Sequence, residues 1–265
     1  METKKFLFFK YQGTGNDFIL FDNRSLSFPK NDTKLIARLC DRKFGIGADG
    51  LMLLEDDDSS DFRMLYYNAD GREGSMCGNG GRCMVDFAHH LGVISETTKF
   101  MAIDGLHRAQ WEPGSVCLQM QDVPEIKEKP QYLFMDTGSP HHVQLIENLE
   151  EFDVHAEGKR LRYSLYGESG SNVNFVEQLN ETTFAVRTYE RGVEAETLSC
   201  GTGVTAVALG MHHLGRTKKD RIALKTRGGM LEVEFKTAET GYTGISLKGP
   251  VDQVFKGTVD IETSR

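Results

Sequence analysis

Short runs of apolar and β-branched residues, each bounded by turn residues, recur along the whole chain. Runs such as residues 18–21, 51–54 and 183–189 have the length and composition of strands. Two segments change to a helical period, with apolar residues on one face after Cys77 (Met84, Phe87, Ala88, Leu91) and after Cys200 (Val204, Val207, Ala208, Met211). The pattern predicts that each half of the chain is mostly strands around one central helix.

The two helical segments are copies of one another. Residues 77–92 and 200–215 share seven identities in sixteen positions at a constant offset of 123. A repeat this long indicates two similar domains, each with its own core, and not a solenoid of short repeats. We expect domains over residues 1–122 and 123–252, and two such domains facing each other would form one cleft.

Each predicted helix ends in a His-His pair followed by Leu and Gly. Gly92 and Gly215 are typical of the first position after a helix, and imidazoles before them suit the negative end of a helix dipole. Adjacent residues on a helix point in different directions, so the pairs do not predict a metal site.

Composition excludes several classes of function. The chain has 265 residues, 39% hydrophobic and 26% charged, with a net charge of −8, which disfavours binding to nucleic acids or anionic membranes. No apolar run approaches the length of a membrane span, and the first residues lack a secretory signal, so we expect a cytoplasmic protein. The five cysteines form an odd, sparse set that favours reduced thiols over disulfides: Cys40, Cys77, Cys83, Cys117 and Cys200.

The motif Cys-Gly-x-Gly at a helix start has a chemical meaning. A helix start leaves backbone N–H groups without partners and carries partial positive charge, so it binds anions and favours a cysteine thiolate. The duplication supplies this arrangement twice, with N–H groups from Gly78-Asn79 and from Gly201-Thr202. Cys77 and Cys200 could then remove and return a proton on opposite faces of one carbon, as a racemase or epimerase requires.

Seven motifs spread over nearly the whole chain resemble those of the diaminopimelate epimerase family. They are GTGNDF at 13–18, FGIGADG at 44–50, YNADG at 67–71, MCGNG at 76–80, NVNF at 172–175, YERG at 189–192 and CGTG at 200–203. The resemblance implies two similar α/β domains, each a barrel-like, mostly antiparallel sheet around a central helix, with a C-terminal strand at 253–265 returning to the first domain. It also implies interconversion of L,L- and meso-diaminopimelate in lysine and cell-wall precursor synthesis, without pyridoxal phosphate or another cofactor.

Within that resemblance, the remaining polar residues receive roles by their chemistry. Glu190 would accept hydrogen bonds from the ammonium at the reacting centre, with His141 and Asn16 orienting it. The far end of the substrate, a carboxylate and an ammonium, suits a guanidinium and two amides: Arg191, Asn68 and Asn172. His142 is an alternative to His141 because the two are adjacent.

Two positions depart from the family pattern. Many members carry Asn where this chain has Ser139, and some carry Gln where Gly50 stands. A serine hydroxyl could replace the amide directly or through a water molecule.

Three other interpretations remain open. Proline racemases and hydroxyproline epimerases use a similar pair of cysteines, but their motifs usually carry His at the position of Asn79 and Pro at that of Ser199. A nucleotide-binding protein would use residues 201–206 as a glycine-rich loop, although Asp220 precedes its strand instead of ending it. A thiol sensor would join Cys77 and Cys200 in a regulatory disulfide. A homodimer is compatible with the sequence.

Overall fold

The chain folds as two compact units, and the computed structural model describes residues 2–74 and 76–263. Unit 1 consists of residues 1–118 and 250–265, and unit 2 of residues 119–249. Within the described ranges, no helix is long and apolar enough to cross a membrane.

The N-terminal part of the chain alternates single helices with pairs of strands. Its elements are β1 (Glu2–Gly13), β2 (Asn16–Asp22), α1 (Thr33–Cys40), β3 (Gly50–Glu55), β4 (Phe62–Asn68), α2 (Gly78–His90), β5 (Thr97–Ala102), β6 (Gly105–Glu112) and β7 (Ser115–Gln119). β1 pairs antiparallel with β2, β2 parallel with β3, β3 antiparallel with β4, and β4 parallel with β5. β5, β6 and β7 then continue antiparallel.

Unit 2 repeats this succession. Its elements are β8 (Lys127–Glu128), β9 (Leu133–Asp136), β10 (Pro140–Leu145), a 3₁₀ turn (Leu149–Glu151), α3 (Val154–Tyr166), β11 (Asn172–Gln178), β12 (Thr183–Glu190), β13 (Ala195–Thr197), α4 (Gly201–His213), β14 (Arg221–Thr226), β15 (Gly229–Thr237) and β16 (Tyr242–Pro250). From β9 onward the pairing is antiparallel, parallel, antiparallel and parallel, through β10, β11, β12 and β14. β14, β15 and β16 are antiparallel. The duplication inferred from sequence is therefore present in the strand topology.

The last strand, β17 (Asp252–Thr263), pairs antiparallel with β1 and completes unit 1. It covers most of the segment predicted at 253–265, of which residues 264 and 265 lie outside the described residues. Mixed strands and helices in two units confirm the α/β class expected from the sequence.

The two repeated helices are buried in the cores of their units. α2 and α4 begin directly after Cys77 and Cys200, as predicted, and the residues on their inner faces are fully buried. Both helices end before a glycine of positive φ, +70° at Gly92 and +68° at Gly215, a conformation in which a side chain would be strained.

The expectation of one helix per half is incomplete, because α1 and α3 lie outside the repeat of α2 and α4. Each begins with an aspartate, Asp32 or Asp153, whose side chain accepts a hydrogen bond from a backbone N–H of the first turn. Aspartate at a helix start is a sequence signal that could have predicted both helices.

Candidate active site

In unit 1, Cys77 is the capping residue of α2. Its backbone is extended, with φ −110° and ψ 150°, and its Sγ accepts a hydrogen bond from the backbone N–H of Gly80 at 3.2 Å. The sulfur thus lies at the positive end of the helix, in a half-buried position. Both the helix dipole and the N–H contact favour a thiolate over a thiol.

In unit 2, Cys200 is likewise the N-cap residue of α4, but its side chain makes no capping hydrogen bond to the helix backbone. Its backbone is also extended, and its Sγ lies 3.5 Å from Oγ1 of Thr202, the second residue of the helix. The cysteine is 8% exposed. The two repeats therefore present the same reactive group at the same end of the same element, with a backbone N–H beside one sulfur and a hydroxyl beside the other.

The second residue of α2, Asn79, joins a polar chain in unit 1. Its amide nitrogen donates to Oδ1 of Asn16, whose own nitrogen donates to Asp49 at 3.1 Å. On its other side, Asn79 Oδ1 accepts from Thr14 at 3.2 Å and from Arg82 at 3.1 Å. The structure thus places Asn16 beside the helix start that carries Cys77.

Arg82 is a residue that the sequence analysis did not select. It is fully buried, and its guanidinium donates to Thr14 Oγ1, Asn79 Oδ1 and the carbonyl oxygens of Gly78 and Pro250 at 3.0 to 3.4 Å. Burial lowers the pKa of Arg82. Within residues 2–74 and 76–263, no carboxylate lies within 4.0 Å of it. An arginine directly before the buried run Cys83-Met84-Val85 of α2 was the signal available in the sequence.

In unit 2, His141 occupies the position beside the helix start. It is fully buried, with Nε2 2.9 Å from Thr202 Oγ1 and Nδ1 3.1 Å from the side-chain nitrogen of Asn174. Burial and, to a smaller extent, the charge of Arg191 lower the pKa of His141 to about 3. The imidazole is therefore neutral at physiological pH.

His142 points to the other side of β10, as adjacent residues on a strand must. Its ring stacks on Tyr132 with 4.3 Å between ring centroids, and its Nδ1 lies 2.8 Å from the hydroxyl of Tyr166. Burial lowers its pKa to about 4. Of the two adjacent histidines, it is His141 that contacts the helix bearing a cysteine.

The residues predicted for the far end of the substrate fall into two groups. Asn172 accepts from the backbone N–H of Arg191 at 2.8 Å and donates to Ser139 Oγ at 3.1 Å, which also accepts from the Arg191 guanidinium at 3.3 Å. These three side chains therefore lie together in unit 2. Asn68 belongs to unit 1, where it is exposed at the end of β4 and its carbonyl accepts from Gly71 N at 2.9 Å.

Gly50 lies opposite Asn68 in the pairing of β3 with β4. A Cβ at this position would come within 2.5 Å of the Tyr66 ring and 2.7 Å of the Tyr67 carbonyl oxygen. The absence of a side chain at Gly50, one of the two departures from the family pattern, is therefore a packing requirement of this chain.

Glu190 is the last residue of β12, with a partly buried carboxylate. Burial raises its pKa, and the neighbouring hydroxyl of Thr197 partly counteracts that rise. A carboxyl group in such a position exchanges a proton nearer neutrality than an exposed one does. No group of three His, Cys, Asp or Glu side chains in the described ranges is arranged to hold a metal ion.

The two halves of the chain make equivalent contacts to their helix starts. Asn16 bonds the second residue of α2 and His141 bonds the second residue of α4. The motif preceding each, Gly13-Thr14 or Gly138-Ser139, is related by the repeat at an offset of 125, which also relates Asn16 to His141. The signal for this equivalence was thus in the sequence, but Asn174, the other partner of His141, was not selected from it.

Known structures share the fold. A phenazine biosynthesis protein of the PhzF family from Bacillus anthracis superposes with a TM-score of 0.77 at 13% identity, over 97% of this chain and 99% of that one. A hydroxyproline epimerase from Agrobacterium vitis superposes with a TM-score of 0.66 at 15% identity, over 98% of this chain and 93% of that one. At these identities the likeness concerns the fold alone.

Sequence relatives define the family. A diaminopimelate epimerase of Flavobacterium psychrophilum is 56% identical over 253 residues, covering 95% of this chain and 99% of the relative. Another, of Chlorobaculum tepidum, is 40% identical over 94% of this chain and 99% of the relative. The chain is an isomerase of the epimerase class. It belongs to the diaminopimelate epimerase family, whose model matches residues 8–113 and 133–254.

Proposed function

We propose that this chain interconverts L,L- and meso-diaminopimelate by a two-base mechanism that needs no cofactor, with Cys77 and Cys200 as the two bases. The observation that carries the proposal is the duplicated cap: each central helix begins directly after a cysteine whose sulfur lies at the positive end of that helix. The names of relatives at 56% and 40% identity support the substrate.

In the proposed reaction, the two thiols act on opposite faces of the α-carbon. One cysteine, as a thiolate, takes the α-proton and becomes a thiol, and the electron pair of the broken C–H bond passes into the adjacent carboxylate. The other cysteine, as a thiol, donates its proton to the opposite face of the carbon and becomes a thiolate. Backbone N–H groups at the two helix starts, from Gly78, Asn79, Gly201 and Thr202, stabilise the negative charge between the two transfers.

The other predicted residues bind and orient the substrate. Glu190 accepts hydrogen bonds from the α-ammonium, and its partly buried carboxylate supports that role. The neighbouring side chains of Asn172, Arg191 and Ser139 form a group suited to a carboxylate at the far end. Asn68 is assigned to the same end, and Asn16 and His141 help to orient the α-ammonium.

The expected domains at residues 1–122 and 123–252, with the C-terminal segment in the first, are proposed to be the two copies of the duplication. The repeated strand pairing from β1 to β7 and from β9 to β16 supports this division. A cytoplasmic location follows from the proposed role in lysine and peptidoglycan precursor synthesis.

A homodimer is proposed for the assembly. Leu7 on β1 and Val254 and Phe255 on β17 are about half exposed, which is unusual for large apolar side chains on adjacent strands. Analytical ultracentrifugation tests this, and a single species with the 29.7 kDa mass of one chain would contradict it.

The function is tested with L,L-diaminopimelate in D₂O under reducing conditions. We expect meso product carrying one solvent deuterium at the inverted carbon. Cys77→Ser and Cys200→Ser should each lower epimerisation by about 100- to 10,000-fold, the usual effect of losing one acid or base. Cys117→Ser, which alters another partly exposed thiol, is the matched control and should retain activity.

Two results would contradict the proposal. Turnover of proline or hydroxyproline without turnover of diaminopimelate would move the chain to the related racemases. Deuterium exchange that persists in both cysteine variants would show that the cysteines are not the acid and the base of the reaction.

A further inference from the structure

A hydrogen-bond chain in unit 2 ends at Cys200 and begins at Asn174, a residue without an assigned role. Asn174 lies on β11 opposite Val143 of β10, the neighbouring strand that also carries His141. Its side-chain nitrogen donates to the backbone oxygen of His142 at 2.9 Å, and its Oδ1 accepts from Thr188 Oγ1 at 2.9 Å. Because a carbonyl oxygen can only accept, these two contacts determine which end of the amide is nitrogen.

The orientation of Asn174 determines the tautomer of His141. The same amide nitrogen lies 3.1 Å from Nδ1 of the imidazole, so Nδ1 must accept a hydrogen bond. The ring is fully buried and its pKa is lowered to about 3, chiefly by burial and further by Arg191, so it carries only one hydrogen. That hydrogen is therefore on Nε2.

The Nε2–H group in turn orients a hydroxyl. Nε2 lies 2.9 Å from Thr202 Oγ1, which accepts its hydrogen. The amide nitrogen of Asn172 is farther from Nε2, at 3.4 Å, and makes a shorter contact with Ser139 Oγ at 3.1 Å. The hydroxyl hydrogen of Thr202 is then available to the sulfur of Cys200 at 3.5 Å.

We propose that Asn174 is a positioning residue for Cys200. Acting through the His141 tautomer, it turns the hydroxyl hydrogen of Thr202 toward the sulfur and so stabilises the thiolate. The effect belongs to one cysteine only, because Asn79 stands at the position equivalent to Thr202 and has no hydroxyl. Cys77 instead receives the backbone N–H of Gly80. The inference rests on the proposed function only for the catalytic use of Cys200.

The first test is the pH dependence of Cys200 alkylation by iodoacetamide in the full chain, followed on the Cys200 peptide by mass spectrometry. Thr202→Val should raise the titration midpoint by about one pH unit, since a hydrogen bond to a charged group is lost, whereas Thr202→Ser should keep it. The matched control is Thr205→Val on the same helix, because the Thr205 hydroxyl donates to the Gly201 carbonyl at 2.9 Å. An unchanged midpoint in Thr202→Val, or an equal rise in Thr205→Val, would overturn the proposal.

The second test separates the relay from direct charge effects. In Asn174→Asp, a carboxylate beside Nδ1 draws the ring hydrogen to that nitrogen, and Thr202 then donates to Nε2 instead of to sulfur. The Cys200 midpoint should rise in the single variant but not rise further when Asn174→Asp is added to Thr202→Val. Additive shifts in the double variant would show that the new charge acts directly and would overturn the relay.

The third test observes the tautomer itself. Imidazole ¹⁵N spectra of the full chain, assigned by the loss of signals in His141→Gln, should show the proton on Nε2 in the wild type and on Nδ1 in Asn174→Asp. A wild-type proton on Nδ1 would overturn the inference.

These readouts do not require turnover, so a chain inactive on diaminopimelate but with the expected Cys200 shifts would contradict only the proposed function. An active chain in which Thr202→Val leaves the midpoint of Cys200 alkylation unchanged would contradict only the relay.

Discussion

Nε2 of His141 lies 2.9 Å from Oγ1 of Thr202, the second residue of the helix capped by Cys200. The equivalent contact in unit 1 joins Asn16 to Asn79, the second residue of the helix capped by Cys77. Each repeat therefore has one side chain hydrogen-bonded to the second residue of its central helix, but the residue types in the two contacts differ. The start of α4 is bonded to a buried neutral imidazole. The start of α2 is bonded to an asparagine whose own amide donates to the carboxylate of Asp49.

The stability of the protein should fall below pH 6.5 in part because of His141. Its pKa is lowered to about 3 in the folded chain, whereas the unfolded chain takes up the proton near pH 6.5. The unfolded state therefore binds more protons between these values, and the contribution present above pH 6.5 is lost progressively as the pH falls toward 3. For this one group, the loss of unfolding free energy between pH 7 and pH 5 is about 2 kcal/mol.

Urea unfolding of His141→Gln at the two pH values measures that contribution. The variant should lose about 2 kcal/mol less than the wild type between pH 7 and pH 5. His155→Gln, which changes an exposed histidine of the same unit, should show the full wild-type loss. Equal losses in all three proteins would contradict the assignment of a buried, neutral His141.

The acid limb of the pH–rate profile should depend on Thr197. Burial raises the pKa of Glu190 and the neighbouring Thr197 hydroxyl lowers it, so Thr197→Val should raise it further. Since the carboxylate form is the proposed acceptor for the substrate ammonium, we expect activity to be lost as the pH falls through this pKa. The acid limb of kcat/KM should move to higher pH by up to about one unit in Thr197→Val and stay in place in Thr197→Ser. A shift to lower pH would be the wrong sign for this explanation.

Arg82→Lys should destabilise unit 1. The buried guanidinium bonds four oxygen acceptors, and a lysine ammonium cannot reproduce that fork, so buried acceptors lose partners. The expected cost is about 2–4 kcal/mol, measured as a lower urea midpoint. Arg221→Lys, which changes an arginine 61% exposed, is the control and should fall within about 0.5 kcal/mol of the wild type. Equal stability of the two variants would mean that the buried contacts contribute little.

Gly203→Ala should impair the unit 2 helix start. A Cβ at Gly203 would lie 2.5 Å from Oδ1 of Asn174 and displace an amide that is held from two sides. We expect a loss of about 1–3 kcal/mol in stability together with reduced epimerisation. Gly81→Ala is the control on α2, because its Cβ would meet only the flexible ends of Met76 and Leu118 at 3.0 Å or more. Epimerisation reduced equally in both variants would contradict a specific role for the Gly203 site.

The helix starts and ends were predictable because their signals are local. The change to a helical period after Cys77 and Cys200, and glycine at 92 and 215, depend only on neighbours within a turn or two. The repeat then indicated that both cysteines occupy the same position in two copies of one unit. Strand ends were less well predicted, because pairing partners decide where a strand stops: β2 runs over Asn16–Asp22 where the apolar pattern marked only residues 18–21.

By itself, the sequence determined the duplicated topology, the pair of capping cysteines and the family. Only the tertiary structure decided which polar side chains support each cysteine. Asn174 meets His141 because β10 and β11 pair in a particular parallel register. Two of the acceptors of buried Arg82, Thr14 and Pro250, come from distant parts of the chain. Such contacts join residues more than thirty positions apart. They depend on strand register and packing, which no periodicity within a single segment encodes.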